Sequence, residues 1–183
     1  MQIYSIHVDV ILGATHLYDD QDYKLVTKFE KVVYEFQHDI VLGKLVAPVE
    51  FNQYIAPIKL PRSTDYLEGG ASVWFSGWGY VSDHAEYVNE LRFLELTTLD
   101  QEQCSPIPNY YVCTDGNDGK CPSLGGDEGG ALVQIVDGEW THMGVMRSTQ
   151  YDDCSRGGPT RYTRTPPMVD FIYATVGPIN NSN

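Results

Sequence analysis

Two carboxylates in unlike surroundings are where this sequence could do chemistry. Glu128 stands at the centre of Gly125-Gly126-Asp127-Glu128-Gly129-Gly130-Ala131. Glycines on both sides let backbone N–H groups turn inward and cradle an oxyanion. Asp39 lies in Gln37-His38-Asp39-Ile40-Val41-Leu42-Gly43-Lys44-Leu45, at the head of an apolar run. Paired carboxylates can serve as the acid and base of a hydrolase. With 25 acidic residues in the chain, however, two such groups meet easily, and spacing alone proves little. Three roles are open to Glu128. It can be an exposed acid on its loop, or fold back and accept the N–H groups of Gly126 and of Glu128 itself. It can also act with Asp39 in acid–base hydrolysis.

Metal chemistry is poorly supplied. The four cysteines, Cys104, Cys113, Cys121 and Cys154, include no Cys-x-x-Cys pair, and the five histidines are scattered. Asp115-Gly116-Asn117-Asp118-Gly119 misses the ligand and glycine offsets of a calcium-binding EF-hand. Asp19, Asp20 and Asp22 read as a solvated acidic turn. No metal or cofactor is expected. A net charge of −13 disfavours nucleic acid and anionic membrane surfaces as partners. No apolar run approaches the length needed to span a membrane, and Met1–His7 lacks the basic start and apolar stretch of a secretion signal. Asn180-Asn181-Ser182 is a weak glycosylation pattern.

The elements that must position these groups read as β-strands. Short runs of Val, Ile, Leu and Tyr alternate with Gly, Asp and Pro clusters. Strands are expected at 8–12, 25–36, 40–45, 71–76, 89–97, 110–114, 131–136, 140–146 and 161–163. Pro48 to Pro61 reads as an extended connector. After Pro166-Pro167, the spacing of Met168, Phe171 and Ile172 predicts one face of a C-terminal helix.

Ordered motifs give a resemblance. The Glu128 segment resembles the nucleophile loop Gly-Asp-Ser-Gly-Gly-Pro of the chymotrypsin/trypsin serine proteases, with glutamate where serine belongs. The Asp39 run resembles the Asn-Asp-Ile-Ala-Leu-Ile-Lys-Leu segment that carries the family's triad aspartate. Ser76-Gly77-Trp78-Gly79 is similar to the start of the second barrel, and Gly158-Pro159 with Tyr162-Thr163-Arg164 to the strand before the last helix. The Ile-Val-Gly-Gly-like terminus and the Ala-Ala-His-Cys motif do not occur in the sequence.

The resemblance implies an all-β, trypsin-like double β-barrel with an incomplete first barrel and a C-terminal helix. Residues 1–60 would hold the remnant of the first barrel and the connector, and 61–183 the second barrel. Asp39 and Glu128 become vestigial triad positions, and Gly126, Asp127 and Glu128 a vestigial oxyanion loop. The implied disulfides are Cys104–Cys113 and Cys121–Cys154, which need an oxidising, extracellular setting. The missing signal then implies that residues upstream of Met1 were lost or omitted.

Asp127 loses the new amino terminus that its family counterpart binds. It is expected to be exposed or protonated, since an unpaired buried carboxylate is costly. A permissive stretch is expected from about Asp115 to Gly126, given its glycines. Thr149 and Thr160 stand where the family often has pocket-lining glycines, so a substrate pocket of the usual form is not expected. The whole predicts an inactive homologue, most readily not an enzyme, that binds or regulates a protein or peptide partner. A serine-type peptidase, a hydrolase using Asp39 and Glu128, and a non-functional truncated product are the alternatives.

Overall fold

The structure is a computed structural model that describes residues 2–4, 8–80, 88–104, 107–116, 125–149 and 158–177, with backbone alone at 2–4, 148 and 149. The fold is all-β with a short C-terminal helix, and the chain divides into two compact units. One comprises Met1–Pro57 with Phe171–Asn183, the other Ile58–Asp170. Among the described residues, no helix is long and apolar enough to cross a membrane.

The first unit is built on one long strand. β1 (Gln2–Tyr4), β2 (Asp9–Leu12) and β4 (Ile40–Leu45) all pair antiparallel with β3 (Leu25–Glu35). In this sheet Val32, Val33 and Ile40 are buried, while Val26, Phe36 and Val41 stay exposed. The β3–β4 turn is held by a carboxylate. Glu35 Oε2 accepts the His38 N–H and meets His38 Nδ1, both at 2.8 Å.

The second unit is a six-stranded sheet. Its order is β6 (Arg92–Thr97), β5 (Ser72–Gly77), β8 (Ala131–Val136), β9 (Glu139–Thr149), β10 (Thr160–Arg164) and β7 (Tyr111–Thr114). It closes into a barrel. Thr98 bridges Thr114, and two bonds of 2.9 Å flank the bridge, Leu99 N–H donating to Cys113 O and Asp115 N–H to Thr97 O. The Cys104–Cys113 disulfide lies beside this seam, and Cys121 and Cys154 fall outside the described residues.

Alternation explains the packing. On β5, Val73 and Phe75 point into the core, and Leu132, Met143, Met146 and Tyr162 meet them there. The β8–β9 hairpin turns on Asp137 (φ 54) and Gly138 (φ 82), a two-residue loop with both φ positive. Arg164 is buried, and carbonyl oxygens accept from it. Its Nε donates to Tyr111 O at 2.9 Å and Nη1 to Leu67 O at 3.3 Å, with the guanidinium 4.4 Å above the Tyr66 ring. The proline-led 3₁₀ turn Pro166–Met168 runs into α1 (Val169–Val176), where Met168 and Ile172 are buried.

His142 on β9 is part-buried. Its N–H donates to Lys59 O, and its Nδ1 lies 2.8 Å from Thr165 Oγ1. Burial holds its pKa below the ordinary 6.5. Above that value the ring is neutral in both states. As pH falls through it, the unfolded chain takes a proton that the fold refuses, so stability declines until the folded pKa is reached. The urea midpoint should therefore fall between about pH 7.5 and about pH 5.5, and less so in His142→Gln. Equal declines in the two proteins would contradict a ring buried in the neutral form.

Candidate functional site

The loop before β8 is organised around Asp127. Glycines set its path, with positive φ at Gly125 (153), Gly126 (89) and Gly129 (89). Asp127 is buried at 9% exposure. Its Oδ1 accepts the N–H of Trp78 at 3.0 Å and the N–H of Gly79 at 2.9 Å. The expectation that this carboxylate is exposed for lack of a partner is thus corrected. Two backbone donors aimed at one oxygen replace the water it has lost. Room for it comes from Gly77, where a methyl group would overlap the Asp127 carboxylate.

The rest of the loop is tied to the barrel. Tyr80 N–H donates to Gly125 O at 3.1 Å. Gly129 N–H donates to Met146 O and Met146 N–H to Gly130 O, both at 2.8 Å. Gly130 lies against Phe75, so a side chain there would strike the core.

Glu128 is exposed at the head of this loop, and its Oε2 accepts the Gly126 N–H at 2.9 Å. Of the two cradle donors expected for a folded-back carboxylate, one is engaged in this way. Chemically the loop offers a carboxylate and no hydroxyl where a nucleophile would stand.

Asp39 belongs to the other unit. It sits exposed in the β3–β4 turn with φ 54, and the Tyr34 hydroxyl donates to its Oδ1. An active triad aspartate is buried against a histidine. His38, its neighbour in sequence, pairs with Glu35. Burial works to raise the Glu35 pKa, but bonds from the His38 ring and from the His38 and Gln37 N–H groups bring it below the ordinary value.

The strand ends expected to line a specificity pocket carry threonines. Thr160 stands in register with Thr149 on one side and Thr114 on the other. Thr160 and Thr114 are 1% and 0% exposed. Thr114 Oγ1 donates to the Tyr162 hydroxyl at 3.4 Å, and burial pushes that hydroxyl's pKa up. Gly119 and Lys120 lie outside the described residues, as does most of the permissive stretch.

Among the described residues, no group of three or more His, Cys, Asp or Glu is arranged to hold a metal. Asp19, Asp20 and Asp22 are exposed, and the Lys24 ammonium closes their loop by donating to Leu17 O at 2.7 Å.

Comparison with known proteins agrees with this geometry. The trypsin family pattern matches residues 3–172. The chain belongs to the trypsin family. The suppressor of tumorigenicity 14 protein homolog of Bos taurus is 30% identical over 151 residues, which is 79% of this chain and 17% of that relative. The chain thus spans a small part of the length of this curated relative. Family membership explains why Ser76-Gly77-Trp78-Gly79 and the Glu128 loop occur together: the first supplies the donors that hold the second. Sequence reasoning noticed both motifs but missed this bond, because its donors are main-chain groups 48 and 49 residues from the acceptor. It also missed Tyr34 and Glu35, whose only signal is their place across a hairpin turn from Asp39 and His38.

Gly77→Ala should therefore displace the Asp127 carboxylate and destabilise the protein by about 1–3 kcal/mol, as overpacking does. Urea unfolding measures it. A loss below about 0.5 kcal/mol, the range of a neutral surface substitution, would show that the contact is slack.

Proposed function

We infer that this member of the trypsin family is catalytically silent and acts by binding a protein or peptide. The single observation behind this reading is Glu128. A carboxylate stands at the nucleophile position, and it engages the Gly126 N–H that an oxyanion would need. A serine route needs both an attacking hydroxyl and free donors, and removing one such donor alone slows related enzymes by about a hundredfold or more. The buried threonine at Thr160, where the family often has a glycine, supports the same conclusion from the substrate side. So does the exposure of Asp39, which no longer has the buried setting from which an aspartate orients a histidine.

The Cys104–Cys113 bridge supports a secreted or extracellular location, since such bonds persist in oxidising compartments. The charge of −13 leaves protein surfaces as better partners than nucleic acid.

The chain is expected to give no turnover of fluorogenic peptide, ester or glycoside substrates, and no labelling by a fluorophosphonate. Turnover by the purified chain that disappears in Glu128→Gln would overturn the proposal in favour of an acid–base hydrolase. Turnover that survives the same substitution would place the chemistry elsewhere and overturn it equally.

A further inference from the structure

The outer wall of the six-stranded barrel carries aromatic side chains that its core does not use. Val73 and Phe75 point inward from β5, so Trp74 between them faces out. In register beside Trp74 are Glu95 on β6 and Val133 on β8. Trp140 on β9 meets Trp74 edge-on, with ring centroids 5.2 Å apart. Phe93 shares the outward face of β6 with Glu95 and is 78% exposed, while Trp140 is 49% exposed and Ile135 opposite it 48%. Glu95 is the carboxylate on this face, exposed beside Trp74 and accepting the Ser72 hydroxyl, whereas Glu139 pairs across the hairpin with Val136 on the core side. Lys59 at the rim is engaged by Glu139 at 2.7 Å.

Single exposed apolar residues need no explanation. Paired indoles with a carboxylate in register beside them are different, because together they match one ligand chemistry. An aromatic face attracts a cation through its quadrupole. A carboxylate accepts the paired N–H groups of a guanidinium, which also stacks on rings better than an ammonium does.

We propose that this wall is a docking surface for an arginine-bearing segment of a protein partner. The proposal rests on the reading of the chain as a binding protein and names the face it uses. Charge complementarity selects the occupant. The chain carries −13, so a second copy would bring like charge toward Glu95, whereas a basic segment is drawn to it.

Titration with penta-arginine amide at physiological salt, followed through the indole N–H signals of the three tryptophans, tests the site. The signals of Trp74 and Trp140 move, and that of Trp78 stays. Penta-lysine amide binds about five-fold more weakly. Trp140→Ala and Glu95→Gln each weaken penta-arginine binding by about five-fold. Four results overturn the proposal: no binding, equal affinity for the two peptides, affinity unchanged by Trp140→Ala, or shifts spread over the whole chain. The last three would mean that net charge alone attracts a polycation. Substrate turnover in the preceding assays removes the binding-protein reading and leaves this titration to be judged on its own.

Discussion

A buried carboxylate held by two main-chain N–H groups is the constraint on which the site depends. Asp127 Oδ1 receives both the Trp78 and the Gly79 donors, and no side-chain cation is needed for either bond. The bond requires a glycine at position 77, because any β-carbon there overlaps the carboxylate. It requires glycines around Asp127, because the loop runs through positive φ on both sides of it. Gly130 then seats against Phe75, and the Met146 backbone takes both bonds that tie the loop to β9. A motif that reads as a catalytic signature is thus also a packing solution. It can persist for that reason alone, whether or not chemistry follows.

That separation of scaffold from chemistry accounts for Glu128. Its side chain is exposed, so the fold places little demand on it, and replacing a serine there disturbs no core contact. The glycine path presents the Gly126 N–H toward whatever anion lies nearest. The carboxylate two residues on supplies that anion, and the bond forms at 2.9 Å. Asp39 is likewise held by its own local structure. Its positive φ and its bond from Tyr34 belong to the β3–β4 turn, beside the Glu35–His38 pair that closes it.

Much of the fold was legible because burial follows period two. The strands β2 to β10 fall within a few residues of where Val, Ile, Leu and Tyr runs place them, and the proline pair before Met168 marks the last helix. β1 was not legible: three residues carry no periodicity, and only pairing with Val32–Tyr34 makes Gln2–Tyr4 a strand. The motifs around Asp39 and Glu128 were legible as chemistry but not as geometry. The error at Asp127 shows why. Side-chain counting finds no partner for it, whereas the fold brings up backbone donors that every residue but proline owns. Thr98 illustrates the same blindness, since its hydroxyl accepts the Ala71 N–H at 2.9 Å and so fastens the barrel seam to a loop 27 residues away.

Amide hydrogen exchange at Trp78 and Gly79 tests the central claim most directly. With both N–H groups bound to a buried carboxylate, their exchange should be slow in the native protein and should accelerate to loop-like rates in Asp127→Ala while the β5 amides stay protected. Fast exchange of both amides in the unsubstituted protein, or protection that survives loss of the carboxylate, would contradict the account.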